Sequence, residues 1–309
     1  MKRPHPDYAI LWEVNGPSAD NHEENETDQM TVKSLMKFQC PESIEVYDKM
    51  IPGPHDAPDV KIRVYTKNES KPLPLIIDIH GGGFVSGDLD NDNNRIVRLM
   101  ALMPCVVVSV AYRLAPANPF PAALEDCYAA LNYCYEHPEE FGIDSSKIVI
   151  NGYSAGGCIA AGLCLYARDK GGPKITAQVL NYPALDYLAN SLSSLQCFEN
   201  SALIKGEGLS DVWRLYLGGF SGELPSYYAV PSLCRDLSGL PATIVVVCEY
   251  DPLRDEGLDY ARRLMQFAVP TEIYSLPRVP HGYDLVDAPM SKAVRQLIAL
   301  SLDRELNNI

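Results

Sequence analysis

Residues 147–169 read KIVINGYSAGGCIAAGLCLYARD. Lys147 to Asn151 is rich in β-branched side chains, Gly152 to Gly156 forms a Gly-x-Ser-x-Gly string, and the remainder is a run of Ala, Leu and Cys. That order predicts a strand, a sharp turn and a helix, the context a nucleophile elbow requires. A serine on so tight a turn sits in strained backbone, so bulk at Gly152 or Gly156 would collide with the adjoining chain. The turn lifts the Ser154 hydroxyl clear of the sheet and puts it at a helix start, where free N–H groups and the positive dipole end favour negative charge. The same five residues also occur as a plain turn, so the rest of the chain must supply a base, an orienting acid and donors for an oxyanion.

On the N-terminal side of this stretch, SIEVYDKM (43–50) and DVKIRVYT (59–66) alternate apolar and polar residues as half-buried strands do. LPLIIDIH (73–80) is nearly all apolar, interrupted by Asp78, as suits a central parallel strand. It runs into Gly81, Gly82 and Gly83, then Phe84 and Val85. A helix is expected over 91–103, a strand over 105–112, and a helix over 119–137 with Pro121 near its first turn. On the C-terminal side, strands are expected at 176–182, 242–248 and 271–276, and helices at 258–267 and 291–306. Apolar strands alternating with helices predict an α/β fold, a mostly parallel sheet with helices on both faces.

Two stretches break the alternation. Residues 187–224 hold Phe198, Trp213, Phe220 and several leucines without a clear strand, and read as an inserted helical cap. Residues 1–42 read as an N-terminal cap arm: 14–29 is polar and acidic, compatible also with a frayed tail, and 30–38 has helical apolar spacing. The catalytic core is then expected in two parts, 43–186 and 225–309.

The chain has 309 residues, 47% hydrophobic and 21% charged, enough to bury a large core. Its net charge of -14 repels phosphate backbones and anionic lipid, so nucleic acid is not an expected partner. The 9 cysteines are odd in number and form no C-x-x-C pair, which argues against a disulfide framework or a zinc site. Reduced thiols, an N-terminal apolar patch of only five residues, Tyr8 to Trp12, and no membrane-length apolar run point to a cytoplasmic protein. No metal site and no cofactor are expected.

Six histidines could serve Ser154. His5, His22, His55 and His137 lie in expected loops, the arm or a helix end. Only His80 and His281 follow the carboxyl ends of strands, where open α/β sheets bind ligands. Asp251 also follows a strand, and the order Ser154, Asp251, His281 is the one the α/β-hydrolase fold uses. In this reading Ser154 is the nucleophile, His281 its base, and Asp251 holds the imidazole. Asp251 is also a natural turn residue before Pro252, and Asp255 or Glu256 could replace it as the acid, though both fall where a helix start favours carboxylates anyway. The bare backbone of Gly82 and Gly83, with the N–H of Ala155, would form the oxyanion hole. A phosphate loop would need a Lys-Ser/Thr ending or a G-x-G-x-x-G spacing, and neither is present.

The strings HGGGF (80–84), YRLAPANPFPAALED (112–126), GYSAGG (152–157), DPLRDEG (251–257) and HGY (281–283) resemble the hormone-sensitive lipase family of carboxylesterases. The resemblance runs from about Leu75 to the C-terminus and is weakest in 187–224. It implies an α/β-hydrolase fold capped by N-terminal helices and the insertion, and carries over Ser154, Asp251 and His281 as triad and Gly82, Gly83 and Ala155 as oxyanion hole. His80 is then a brace for the glycine loop, and Arg113 and Glu125 are scaffold contacts. Phe84 and Tyr153 are expected to touch substrate, Tyr153 standing where the family usually has Asp and narrowing one side of the site. A short-chain acyl ester is the expected small-molecule partner, and a homodimer is left open. Amide or peptide hydrolysis on the same triad, and a non-catalytic small-molecule receptor, are the rival functions.

Overall fold

In the computed structural model the described residues are 5–13, 38–55, 57–67, 69–196, 201–204, 208–219 and 222–307. The expected helix over 30–38 and the acidic stretch 14–29 lie essentially outside them.

The apolar runs become eight strands: β1 (Glu45–Ile51), β2 (Val60–Thr66), β3 (Leu73–Ile79), β4 (Val106–Ala111), β5 (Ile143–Tyr153), β6 (Ala177–Asn181), β7 (Ala242–Tyr250) and β8 (Thr271–Pro280). They form one sheet in the order β1-β2-β4-β3-β5-β6-β7-β8. β1 and β2 pair antiparallel, as do β2 and β4, and from β4 to β8 every pairing is parallel. Parallel neighbours need crossovers, and the helices that supply them cover both faces. Period-2 alternation sorts the core: Ile148 and Ile150 of β5 join Val245 and Val247 of β7 in one apolar cluster, and Val149 and Tyr153 join Ile244 and Val246 in the other. The first cluster is closed by helices Ala122–Glu136, Ala155–Lys170 and Arg254–Gln266, the second by Asn93–Met100 and Pro289–Asn307.

Three elements outrun the expected bounds by four residues. Helix Arg254–Gln266 begins four residues before Leu258, because its first turn is the charged Arg254, Asp255, Glu256, invisible to apolar spacing but favourable at a helix N-terminus. β8 continues past Leu276 to Pro280, through exposed residues and a register shift opposite Cys248 and Tyr250. β5 starts at Ile143, its polar residues 144–146 preceding the apolar run, with a register shift against Pro74 and Leu75.

Within 187–224 the described residues hold helices Leu192–Gln196 and Leu209–Tyr216 and no strand. Leu209, Trp213 and Tyr216 are buried in the same cluster as Phe84, so this segment packs over the carboxyl end of β3. At the N-terminus Tyr8 and Leu11 are buried in the opposite cluster, where the Tyr8 hydroxyl lies 2.9 Å from Ser291 Oγ.

The eight described cysteines are all free and seven are buried. Burial pushes the thiols of Cys105 and Cys134 up to about 12, leaving them unreactive packing groups. No described helix is long and apolar enough to cross a membrane.

Candidate active site

Ser154 joins β5 to helix Ala155–Lys170 with φ +56° and ψ -120°, a conformation L-residues rarely adopt. The turn is this tight because helix and strands nearly touch: a Cβ on Gly156 would lie 2.1 Å from the Ile79 carbonyl oxygen. Hydrogen bonds from Ser154 N–H to the Asn181 carbonyl (2.9 Å), and from Cys158 and Ala184 N–H to the Ser154 carbonyl (both 3.2 Å), hold the residue in place.

The fold brings Ser154, His281 and Asp251 together from three strand ends. Ser154 Oγ lies 2.9 Å from His281 Nε2, and His281 Nδ1 lies 2.8 Å from Asp251 Oδ2. His281 and Asp251 are buried, so their interaction is poorly screened by solvent. Asp251 Oδ1 accepts the N–H of Leu253 at 2.9 Å, which leaves Oδ2 to the imidazole. Tyr182 packs edge-on against the His281 ring, centroids 4.6 Å apart. Neither alternative acid faces His281. Asp255 accepts the Ser193 N–H at 2.7 Å, and Glu256 Oε1 accepts the Leu185 N–H at 2.8 Å.

The glycine loop lies beside the serine: a Cβ on Gly81 would sit 3.3 Å from Ser154 Cβ. Gly82 has φ +123°, and a Cβ there would meet the Ser86 carbonyl oxygen at 2.0 Å, so no other residue fits. Among the described residues no hydrogen bond occupies the N–H of Gly82, Gly83 or Ala155, and Gly83, Ala155 and Ser154 border one cavity. His80 points away from it. Its ring stacks on Tyr112 at 4.2 Å, its Nδ1 donates to the Gly81 carbonyl at 2.7 Å, and its own carbonyl accepts the Tyr112 hydroxyl at 2.8 Å. Burial pushes the His80 imidazole below its ordinary range, which keeps it neutral. It braces the loop as the family resemblance implies.

The cavity holds about 390 Å³. Phe84, Leu209, Val212, Trp213 and Leu253 give it apolar walls, with Phe84 stacked on Tyr216 at 3.9 Å. Tyr153 is not among its lining residues. β5 sends 149, 151 and 153 to the opposite face of the sheet, where the Arg95 guanidinium covers the Tyr153 ring at 4.4 Å. Tyr153 therefore does not narrow the space Ser154 faces, and its expected substrate contact is corrected. Arg113 makes its close contacts with Asp126 (2.8 to 3.0 Å), and Glu125 is a looser ion-pair partner of the same guanidinium at 3.9 Å. Asp126 is buried one helical position further round, so it meets the guanidinium bidentately. No group of three or more potential metal-ligating side chains occurs among the described residues.

Glu256 carries a prediction of its own. Burial raises its carboxyl well above the ordinary value of 4.5, so the folded state favours the neutral acid. Stability from this group is present below the unfolded value and is lost as pH rises through the raised folded one. Glu256→Gln keeps an acceptor for Leu185 and has no charge to bury. Its melting temperature is expected to match the wild type near pH 4.5 and to exceed it increasingly at higher pH. A constant difference across that range would contradict the assignment.

A family model described as the alpha/beta hydrolase fold matches residues 76–285. Esterase LipI of Mycobacterium tuberculosis is 36% identical over 264 residues, covering 83% of this chain and 82% of that protein. Carboxylesterase NlhH of the same organism is 36% identical over 232 residues, 73% of this chain and 71% of that protein. Among solved structures, a bacterial heroin esterase superposes with a TM-score of 0.85 at 37% identity, covering 91% of this chain and 90% of that one. With an elbow serine, a matching family model and relatives of this coverage, the chain belongs to the α/β-hydrolase fold family, in the hormone-sensitive-lipase-like group of carboxylesterases.

Proposed function

We propose that the protein is a serine carboxylesterase that hydrolyses small, uncharged acyl esters through an acyl-enzyme. The observation that carries this is the continuous line from Ser154 Oγ to His281 Nε2 and from His281 Nδ1 to Asp251 Oδ2, 2.9 and 2.8 Å long, at the edge of an apolar cavity. In this reading the Ser154 hydroxyl adds to the ester carbonyl as His281 takes its proton. Asp251 stabilises the imidazolium without taking the proton itself. The oxyanion collects in front of the N–H groups of Gly82, Gly83 and Ala155, where the helix start adds a favourable field. His281 then protonates the departing alcohol, and a water activated by the same histidine releases the acid.

Esterase activity agrees with the printed names of the relatives. The cavity walls support a short acyl or small apolar group, since none of the described lining residues is lysine, arginine, aspartate or glutamate. The eight described thiols, all free, support a cytoplasmic, reducing location. The segment 187–224 acts as a cap because Leu209, Val212 and Trp213 wall the cavity.

Trp213→Leu tests the cap's part in selectivity. Removing the indole lengthens the cavity, so kcat/KM for octanoyl relative to acetyl esters of one chromogenic alcohol is expected to rise about tenfold, the worth of one or two buried methylenes. An unchanged chain-length profile in a folded variant would exclude Trp213 as the limit. Parallel assays with the matching anilides separate ester from amide hydrolysis.

A further inference from the structure

The insertion reaches the acid of the triad as well as the cavity. Ser193 and Ser194, both buried, stand on helix Leu192–Gln196. Both hydroxyls donate to a single acceptor, the carbonyl of Pro252, at 2.9 and 3.0 Å. The next N–H, that of Leu253, donates to Asp251 Oδ1 at 2.9 Å. That carbonyl and that N–H belong to one peptide unit. A trans peptide is planar, with its C=O and N–H directed oppositely, so fixing one end fixes the aim of the other. Two donors on the carbonyl also polarise the amide and strengthen its N–H as a donor.

The contact is built reciprocally. Ser193 Oγ accepts the Asp255 N–H at 3.0 Å, and Asp255 Oδ2 accepts the Ser193 N–H at 2.7 Å. Asp255 lies in the first turn of helix Arg254–Gln266, whose cap position is Leu253, with no side-chain acceptor. Ser193 supplies that cap from another segment. Ser194 is held in turn by Ser191 Oγ at 2.7 Å.

We infer that Ser193 and Ser194 are positioning residues for the reaction, acting through the Pro252–Leu253 peptide to hold Asp251 Oδ2 toward His281. The inference rests on the esterase reading above. It makes the segment that walls the cavity also the segment that aligns the acid, so catalytic competence depends on the insertion being docked.

The test is a double-mutant cycle on the full chain, with a chromogenic acetyl ester as probe. Ser193→Ala/Ser194→Ala is expected to lower kcat roughly tenfold, with KM changed by less than about twofold. In an Asp251→Ala background the same pair of substitutions should change the residual turnover by less than about twofold, because no carboxylate remains to be aimed. A merely structural role would give the same loss in both backgrounds, and that result, or no loss at all, overturns the inference. If the double variant does not fold, Ser194→Ala alone keeps the Ser193–Asp255 pair and should lower kcat about threefold, again only when Asp251 is present. Ser154→Ala in parallel separates the two claims. Turnover that survives it defeats the esterase reading, whatever the serine pair does.

Discussion

Ser154→Ala is expected to reduce ester turnover by about ten-thousandfold to a millionfold while leaving the fold intact. The alanine keeps the Cβ and the φ of +56°, so the strain of the elbow is unrelieved and stability should hardly change. What disappears is the hydroxyl placed 2.9 Å from His281 Nε2. The residual rate comes from binding and from the bare N–H groups, which still polarise the carbonyl for attack by water. Ser154→Gly makes a useful companion. It is equally inactive, yet it is expected to melt higher, since glycine relieves a strain of roughly 1–3 kcal/mol. Steady-state assay and thermal melting of the two variants check both halves. An alanine variant with turnover within about tenfold of wild type would leave no role for the elbow serine.

Asp251→Asn should cost about a thousandfold to ten-thousandfold in kcat with little effect on KM. The direction follows from the hydrogen bonds around the carboxylate. Leu253 N–H donates to Oδ1 at 2.9 Å, so an asparagine must present its oxygen there and turn its NH₂ toward His281 Nδ1. A neutral imidazole facing that donor carries its own proton on Nε2, directed at Ser154, and cannot accept the serine proton. The amide thus preserves shape and inverts the tautomer. Asp255→Asn is the contrast: Asp255 faces Ser193 and Arg254, and its loss should affect the docking of the insertion far more than the protonation of His281. If Asp251→Asn and Asp255→Asn were equally mild, the assignment of the acid would be wrong.

Much of this was legible along the chain because the chemistry of the site is concentrated in short, punctuated strings. Glycines that a Cβ would drive into the Ile79 or Ser86 carbonyls mark where backbones meet, and those constraints are written into GYSAGG and HGGGF. Strand ends that carry Asp251 and His281 could be placed because β7 holds the apolar run Ile244 to Cys248 and β8 holds Ile273, Tyr274 and Leu276 ahead of its loop. Less legible was anything set by which face a residue takes. Tyr153 is adjacent to Ser154 in sequence and on the other side of the sheet in space, because one step along a strand reverses the side chain. The first turn of helix Arg254–Gln266, the polar start of β5 and the Pro277–Arg278 step of β8 carry no apolar period, so their bounds were set by hydrogen bonding that no pattern displays. Ser193 and Ser194 were hidden for a third reason. Serines in a polar insertion are unremarkable until the fold brings them to the Pro252 carbonyl, some sixty positions away. Likewise Arg113 could be seen as a scaffold residue, but choosing Asp126 over its neighbour Glu125 depends on helical phase at a position where both carboxylates look alike.

Activation of Ser154 as a nucleophile is measured most directly by covalent labelling. Exposure to a fluorophosphonate, followed by digestion and mass spectrometry, should give one adduct, on the peptide containing Ser154. Labelling should slow by at least about a hundredfold in His281→Ala, where no base takes the proton. An enzyme that turns over esters yet resists the reagent, or carries the adduct on another residue, would contradict it.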